Sequence, residues 1–151
     1  MSNETNMALT REFMERAFNQ GDLEVVDEQL GGTAVDHQEP AGVNFTIHLK
    51  QVITAFRTAF PDLHFEIHQM LADDDIVAFR STMTGTHQGV LQLGPGPGVP
   101  PTGRSISVAH MHFVKFVDGK GVDLWHVWDN LGLLQQIGVL PGMRETAVSA
   151  V

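Results

Sequence analysis

The chain has 151 residues, 42% hydrophobic and 18% charged, with nine Lys and Arg against 18 Asp and Glu for a formal charge of -9. That balance suits one folded domain spanning residues 1–151, excludes a long disordered arm, and sets up a field that repels nucleic acid and anionic membrane. Cys and Tyr are absent, which removes disulfides, thiolates and phenols and leaves carboxylates, imidazoles and hydroxyls to carry chemistry.

Apolar residues recur at helical spacing from roughly Thr5 to Gln20, where Leu9, Phe13 and Ala17 share a stripe beside Met14 and Phe18. Gly21-Asp22 stops this helix and starts another carrying Leu23, Val26 and Leu30. Asp22 is its expected N-cap and Gly31-Gly32 its exit. A brief apolar stretch from Thr33 to His37 and a loop through Pro40 and Gly42 lead to a third helix from Thr46. Its face holds Leu49, Val52, Ile53, Phe56 and Phe60 before Pro61-Asp62 ends it.

The period then changes to two. Leu63, Phe65 and Ile67 alternate with His64, Glu66 and His68, and a turn at residues 73–75 leads into a second strand from Ile76 to His87. A loop at residues 94–103, rich in Gly and Pro, lacks the Gly-Lys-Ser/Thr ending of a phosphate cradle and is expected to form a rim or lid. A third strand from about Arg104 to Val117 turns at residues 118–121 into a fourth from about Val122 to Asp129. A short helix then holds Leu131, Leu134 and Ile137, followed by a tail, residues 142–151, expected to be mobile. Short turns make the strands antiparallel, and helices gathered at the N-terminal side cover one sheet face, so the fold class is α+β with a pocket between sheet and third helix.

Asp129 is the first candidate for chemistry. It ends the strand Leu124 to Asp129, where alternation sets Trp125, Val127 and Asp129 on one face and Leu124, His126 and Trp128 on the other. A carboxylate beside tryptophan is expected to be partly desolvated and so fitted to exchange protons with carbon. Asp is equally suited to cap the following helix, and the two roles are compatible. His110 and His112 share one strand face with Ile106, Val108, Val114 and Phe116, which marks a satisfied core network or a pocket wall. His at i and i+2 could ligate a metal, but a third ligand is needed and the nearest carboxylate, Asp118, falls in a turn, so no metal is expected. His37 and His87 sit at element ends, where groups facing a pocket and purely structural ones both occur. With Trp125 and Phe56 they are the expected substrate contacts.

Several segments together resemble the SnoaL-like polyketide cyclase family of the nuclear transport factor 2-like superfamily. They are Asn19-Gln20-Gly21-Asp22-Leu23, Val35-Asp36-His37, Ala59-Phe60-Pro61-Asp62-Leu63, Thr84-Gly85-Thr86-His87-Gln88-Gly89, Pro100-Pro101-Thr102-Gly103-Arg104 and the run from Trp125 to Gly138. The resemblance implies a cone-shaped, curved antiparallel sheet wrapped around the helices, with an apolar cavity open at one end. It also implies intramolecular aldol closure of a polyketide-like carbonyl compound without metal or organic cofactor. Asp129 occupies the position of that family's acid/base, and His112, with His110 as its polar neighbour, is the candidate assistant.

Family resemblance further implies a homodimer or homotetramer. Isomerases, dehydratases and epoxide hydrolases of the superfamily use tyrosine, which this chain lacks. A non-catalytic module for small apolar ligands or for oligomerisation, and a polyketide hydroxylase, are the alternatives. No apolar run approaches the roughly 20 residues of a membrane helix, and residues 1–13 lack a basic segment before an apolar core, so the expected compartment is the cytoplasm.

Overall fold

Ser2 opens the first helix, α1 (Asn3–Phe13), by accepting the Thr5 amide on its hydroxyl, and the chain then widens into a π-helical segment, Met14–Asn19. The structure, a computed structural model, describes residues 2–141; the tail expected at 142–151 lies outside them. Gly21 ends the π segment at φ +75°, and Arg57 from the third helix donates to the Phe18 and Asn19 carbonyls at 2.8 and 3.0 Å. Those carbonyls have no partner within their own helix, so the guanidinium satisfies them.

Asp22 accepts the Glu24 amide at the start of α2 (Glu24–Gln29). Gly31-Gly32 is no helix exit. The chain passes directly into β1 (Leu30–Asp36), and both glycines lie within that strand. Asn44 caps α3 (Phe45–Ala59) by accepting the Ile47 amide. Ile53, Phe56 and Phe60 are buried, as the apolar spacing predicts.

The remaining strands are β2 (His64–Asp73), β3 (Ile76–Thr86), β4 (Ser105–Val117) and β5 (Lys120–Trp128), before α4 (Asn130–Gln136). Their order is β1-β5-β4-β3-β2. Four strands form an antiparallel meander, whereas β1 pairs with β5 in parallel, so the sheet is mixed rather than wholly antiparallel. A strand placed before α3 reaches this edge through a long crossover, which permits parallel pairing. Alternation holds through the meander: Val77, Phe79, Met83, Ile106 and Val108 are buried on its inner face.

Two glycines set how closely α3 meets the sheet. A Cβ at Gly85 would stand 2.9 Å from the Cβ of Phe60, and one at Gly89 would run into the Thr58 carbonyl. Gln88 and Gly89 both donate backbone amides to the Ala59 carbonyl. Among the described residues no helix is long and apolar enough to cross a membrane.

Candidate active site

The curved sheet does not close against α3, and a cavity of about 770 Å³ remains between them. That volume suits a drug-sized ligand. Its walls are mainly apolar, with Val52 and Phe56 from α3 facing Phe79, Met83, Phe116 and Trp128 from the sheet. Gln92, Leu93 and Gly94 reach it from the loop after β3, which places part of that loop at the rim. A short antiparallel bridge between Leu91 and Val99 holds the loop in shape, with Leu91 fully buried.

One wall carries three imidazoles. In the β4–β5 register His112 stands opposite His126, and His110 opposite Trp128. These side chains share the inner face, and their rings stack: His110 on His112 at 5.7 Å, His112 on His126 at 5.7 Å, and His110 on Trp128 at 5.4 Å. Phe79 lies 4.7 Å from the other side of His112. Burial away from water disfavours the charged form, with a smaller contribution from the neighbouring imidazoles. It pushes His110 down to about 4 and His112 down to about 3. Both rings are therefore neutral at physiological pH, and His110 Nε2 and His112 Nδ1 are buried without a hydrogen-bond partner among the described residues. Among the described residues no three His, Cys, Asp or Glu side chains are grouped to hold a metal ion.

His126 differs from its neighbours in having a carboxylate. Its Nε2 stands 2.9 Å from Asp36 Oδ2, and the Asp36 side chain is only 5% exposed. Asp36 ends β1, so the parallel pairing that places it opposite Leu124 carries the carboxylate to the inner side of β5. Its second oxygen accepts the Gln38 amide, and Gln38 Oε1 in turn accepts the His126 amide at 2.7 Å. In the neutral ring, a carboxylate bound at Nε2 selects the tautomer that carries its lone pair on Nδ1.

Of the residues singled out in the sequence, His110, His112 and Phe56 line the cavity, and the others lie elsewhere. Asp129 is exposed. It caps α4, with Oδ1 accepting the Gly132 amide at 2.8 Å, and its carboxylate packs against Gly132 where any Cβ would collide. The expected desolvation beside tryptophan does not occur, because the face shared by Trp125, Val127 and Asp129 is the outer one. Trp125 is itself on that face, stacked on His37 at 4.6 Å, and it is Trp128 that enters the cavity. His37 does not line the cavity itself; its ring meets Asp123, which does, at 2.8 Å.

His87 is fully buried beneath Phe60. Its Nδ1 meets Thr102 and its backbone meets Arg104 and Gly103, so it fastens the end of the loop. The residues that sequence reasoning missed are His126 and Asp36. Alternation did assign His126 to the face of Trp128, but its carboxylate partner lies 90 positions away, and no local pattern records that pairing.

A family model described as SnoaL-like polyketide cyclase matches residues 8–137. No curated protein matches the chain. Among solved structures, TsrD from Streptomyces laurentii is 25% identical with a TM-score of 0.79, the match covering 93% of this chain and 99% of that one. AclR from Streptomyces galilaeus, a candidate hydroxylase, is 30% identical with a TM-score of 0.78 and coverage of 99% and 90%. IdmH from Streptomyces antibioticus, a candidate polyketide cyclase, is 28% identical with a TM-score of 0.70 and coverage of 88% and 98%.

Proposed function

The chain belongs to the SnoaL-like polyketide cyclase family, and on that premise we propose that it closes a ring in a polyketide-like carbonyl compound by intramolecular aldol addition, with His126 and Asp36 as the acid–base pair. The observation that carries this reading is the 2.9 Å contact between His126 and a buried carboxylate in the wall of an apolar cavity. His126 Nδ1 takes a proton from a carbon next to a carbonyl, and Asp36 stabilises the imidazolium that forms. The enolate carbon attacks a second carbonyl of the same molecule, the new carbon–carbon bond leaves an alkoxide, and the alkoxide is protonated to the alcohol.

His110 and His112, held neutral, supply polar ring edges beside the site of developing negative charge without placing a fixed charge in the cavity. The cavity walls hold the chain folded, which removes much of the entropic cost of bringing its ends together. Asp129 is assigned the cap of α4, not the base.

The test uses a naphthalene carrying a 1,5-diketone side chain, whose aldol closure gives a six-membered ring. Wild-type protein is expected to form the cyclic alcohol, His126→Ala and Asp36→Asn to lose that activity, and Asp129→Asn to keep it. Closure undiminished in both pair variants would reject the assignment. Tight binding without closure by wild-type protein would favour a ligand-binding module. The likeness to AclR at 30% identity supports a second reading, a hydroxylase using the same cavity, which oxygen uptake coupled to a hydroxylated product would reveal.

A further inference from the structure

The four residues Asp36-His37-Gln38-Glu39 form a turn in which the Glu39 amide donates to the Asp36 carbonyl at 3.1 Å. A turn of that kind holds its first and fourth Cα atoms within about 7 Å. Both end residues are carboxylates, and each holds an imidazole from a different element. Asp36 meets His126 of β5, and Glu39 Oε1 meets His48 Nδ1 of α3 at 2.6 Å. All four side chains line the same cavity.

We propose that His48 and Glu39 are a second acid–base pair of this cavity, with His48 donating the proton that converts the closing alkoxide to the alcohol; the inference rests on the cyclase reading above. The two pairs differ in their access to water. Side-chain exposure is 5% for Asp36 and 22% for His126, against 22% for Glu39 and 37% for His48. A base that begins by removing a proton from carbon belongs where water is scarce, whereas an acid that must regain its proton in every cycle belongs where water reaches it.

The shape of α3 fixes what the substrate must look like. His48, Val52, Ala55 and Phe56 all line the cavity along one helical stripe. His48 and Phe56 are separated along the axis by roughly 12 Å at 1.5 Å per residue. A fused-ring compound lying on Val52 and Phe56 therefore runs along α3 from the imidazole wall toward the more exposed His48. The substrate class is an apolar dicarbonyl compound, with its acidic carbon toward His126 and its acceptor ketone toward His48. The C–H bond breaks and its proton goes to His126 Nδ1. The carbon pair then forms the new bond to the ketone carbon, the carbonyl π pair moves to oxygen, and that oxygen takes a proton from the His48 imidazolium. Water at the mouth returns a proton to His48, and His126 releases its own after the product leaves.

The two pairs separate in deuterium oxide with the naphthyl 1,5-diketone as probe. Deuterium appearing next to the carbonyl of recovered probe reports enolisation, and the cyclic alcohol reports closure. His48→Gln and the milder Glu39→Gln are expected to go on exchanging deuterium while closure falls on the order of 100-fold or more, and His126→Ala to lose both. Parallel loss of exchange and closure in His48→Gln and Glu39→Gln would reduce the pair to a loop tether and overturn the inference. Retention of both activities would overturn it equally. Wild-type protein that neither exchanges nor closes the probe would overturn the cyclase reading and this inference with it, whereas exchange by wild type with either of the other outcomes removes only the role of His48.

Discussion

The two faces of β5 carry similar side chains in different surroundings. Outward, Trp125 stacks on His37, Val127 is 65% exposed, and Asp129 continues the same face into solvent. Inward, Trp128 stacks on His110 while His126 meets a carboxylate that water barely touches. Each face offers an aromatic ring, an imidazole and an acid. Only the inner set has α3 opposite it, and an apolar wall across a cavity is what turns a His–carboxylate contact into a site where proton transfer is not dominated by solvent.

The largest expected effect sets the two acids against each other. Asp36→Asn should reduce ring closure of the diketone probe on the order of 100- to 10,000-fold, the range general acid–base groups contribute, and Asp129→Asn less than about 5-fold by the same logic. Reversal of that order in steady-state rates would return the chemistry to the outer face.

Next is the acid limb of stability. His110 and His112 titrate at about 4 and about 3 in the folded chain, below the ordinary 6.5. The unfolded chain therefore binds more protons as pH falls below 6.5. Stability conferred by the neutral rings is complete above that value, declines as pH drops, and is fully lost only once pH passes the folded values. With each pH unit worth about 1.4 kcal/mol per group, the loss is on the order of a few kcal/mol. Urea midpoints measured from pH 7 to pH 4 should fall accordingly, and less steeply in His110→Phe. A flat profile would mean that these rings are not held neutral by burial.

Asp129→Ala removes the cap of α4 and should cost about 1 kcal/mol in the same assay. No effect on stability would leave the exposed carboxylate without the role assigned to it.

The smallest effect on chemistry is expected from Phe113→Glu. On the outer face Met111 stands opposite Val127 and Phe113 opposite Trp125, all four exposed. An apolar patch of this kind is seldom left open in a monomer, and the homo-oligomer expected from the sequence would cover it with a second copy. Sedimentation should show the variant shifted to monomer with ring closure little changed. A wild-type chain that is monomeric at high concentration would remove that expectation.

Much of this architecture was legible in the chain itself. The change from a 3.6-residue to a 2-residue period at Pro61 separates helices from strands. Even positions from Ile106 to Phe116 identify the inner face of β4, and with it His110 and His112. Alternation also grouped His126 with Trp128 and Asp129 with Trp125, so the two faces of β5 were sorted correctly while the face belonging to the cavity was not. Which face turns inward depends on what packs against it, and that is decided by α3, about 70 positions earlier in the chain.

The amino-acid order by itself determined the helices, the four strands of the meander, their alternation and the family, because these depend on neighbours within a few residues; the edge strand β1, in which Gly31 and Gly32 lie, was not legible in it. Only the tertiary structure decided which histidine receives a carboxylate. His126 and Asp36 meet through a parallel strand pairing at the sheet edge, and that contact exists only once the whole sheet has assembled around α3.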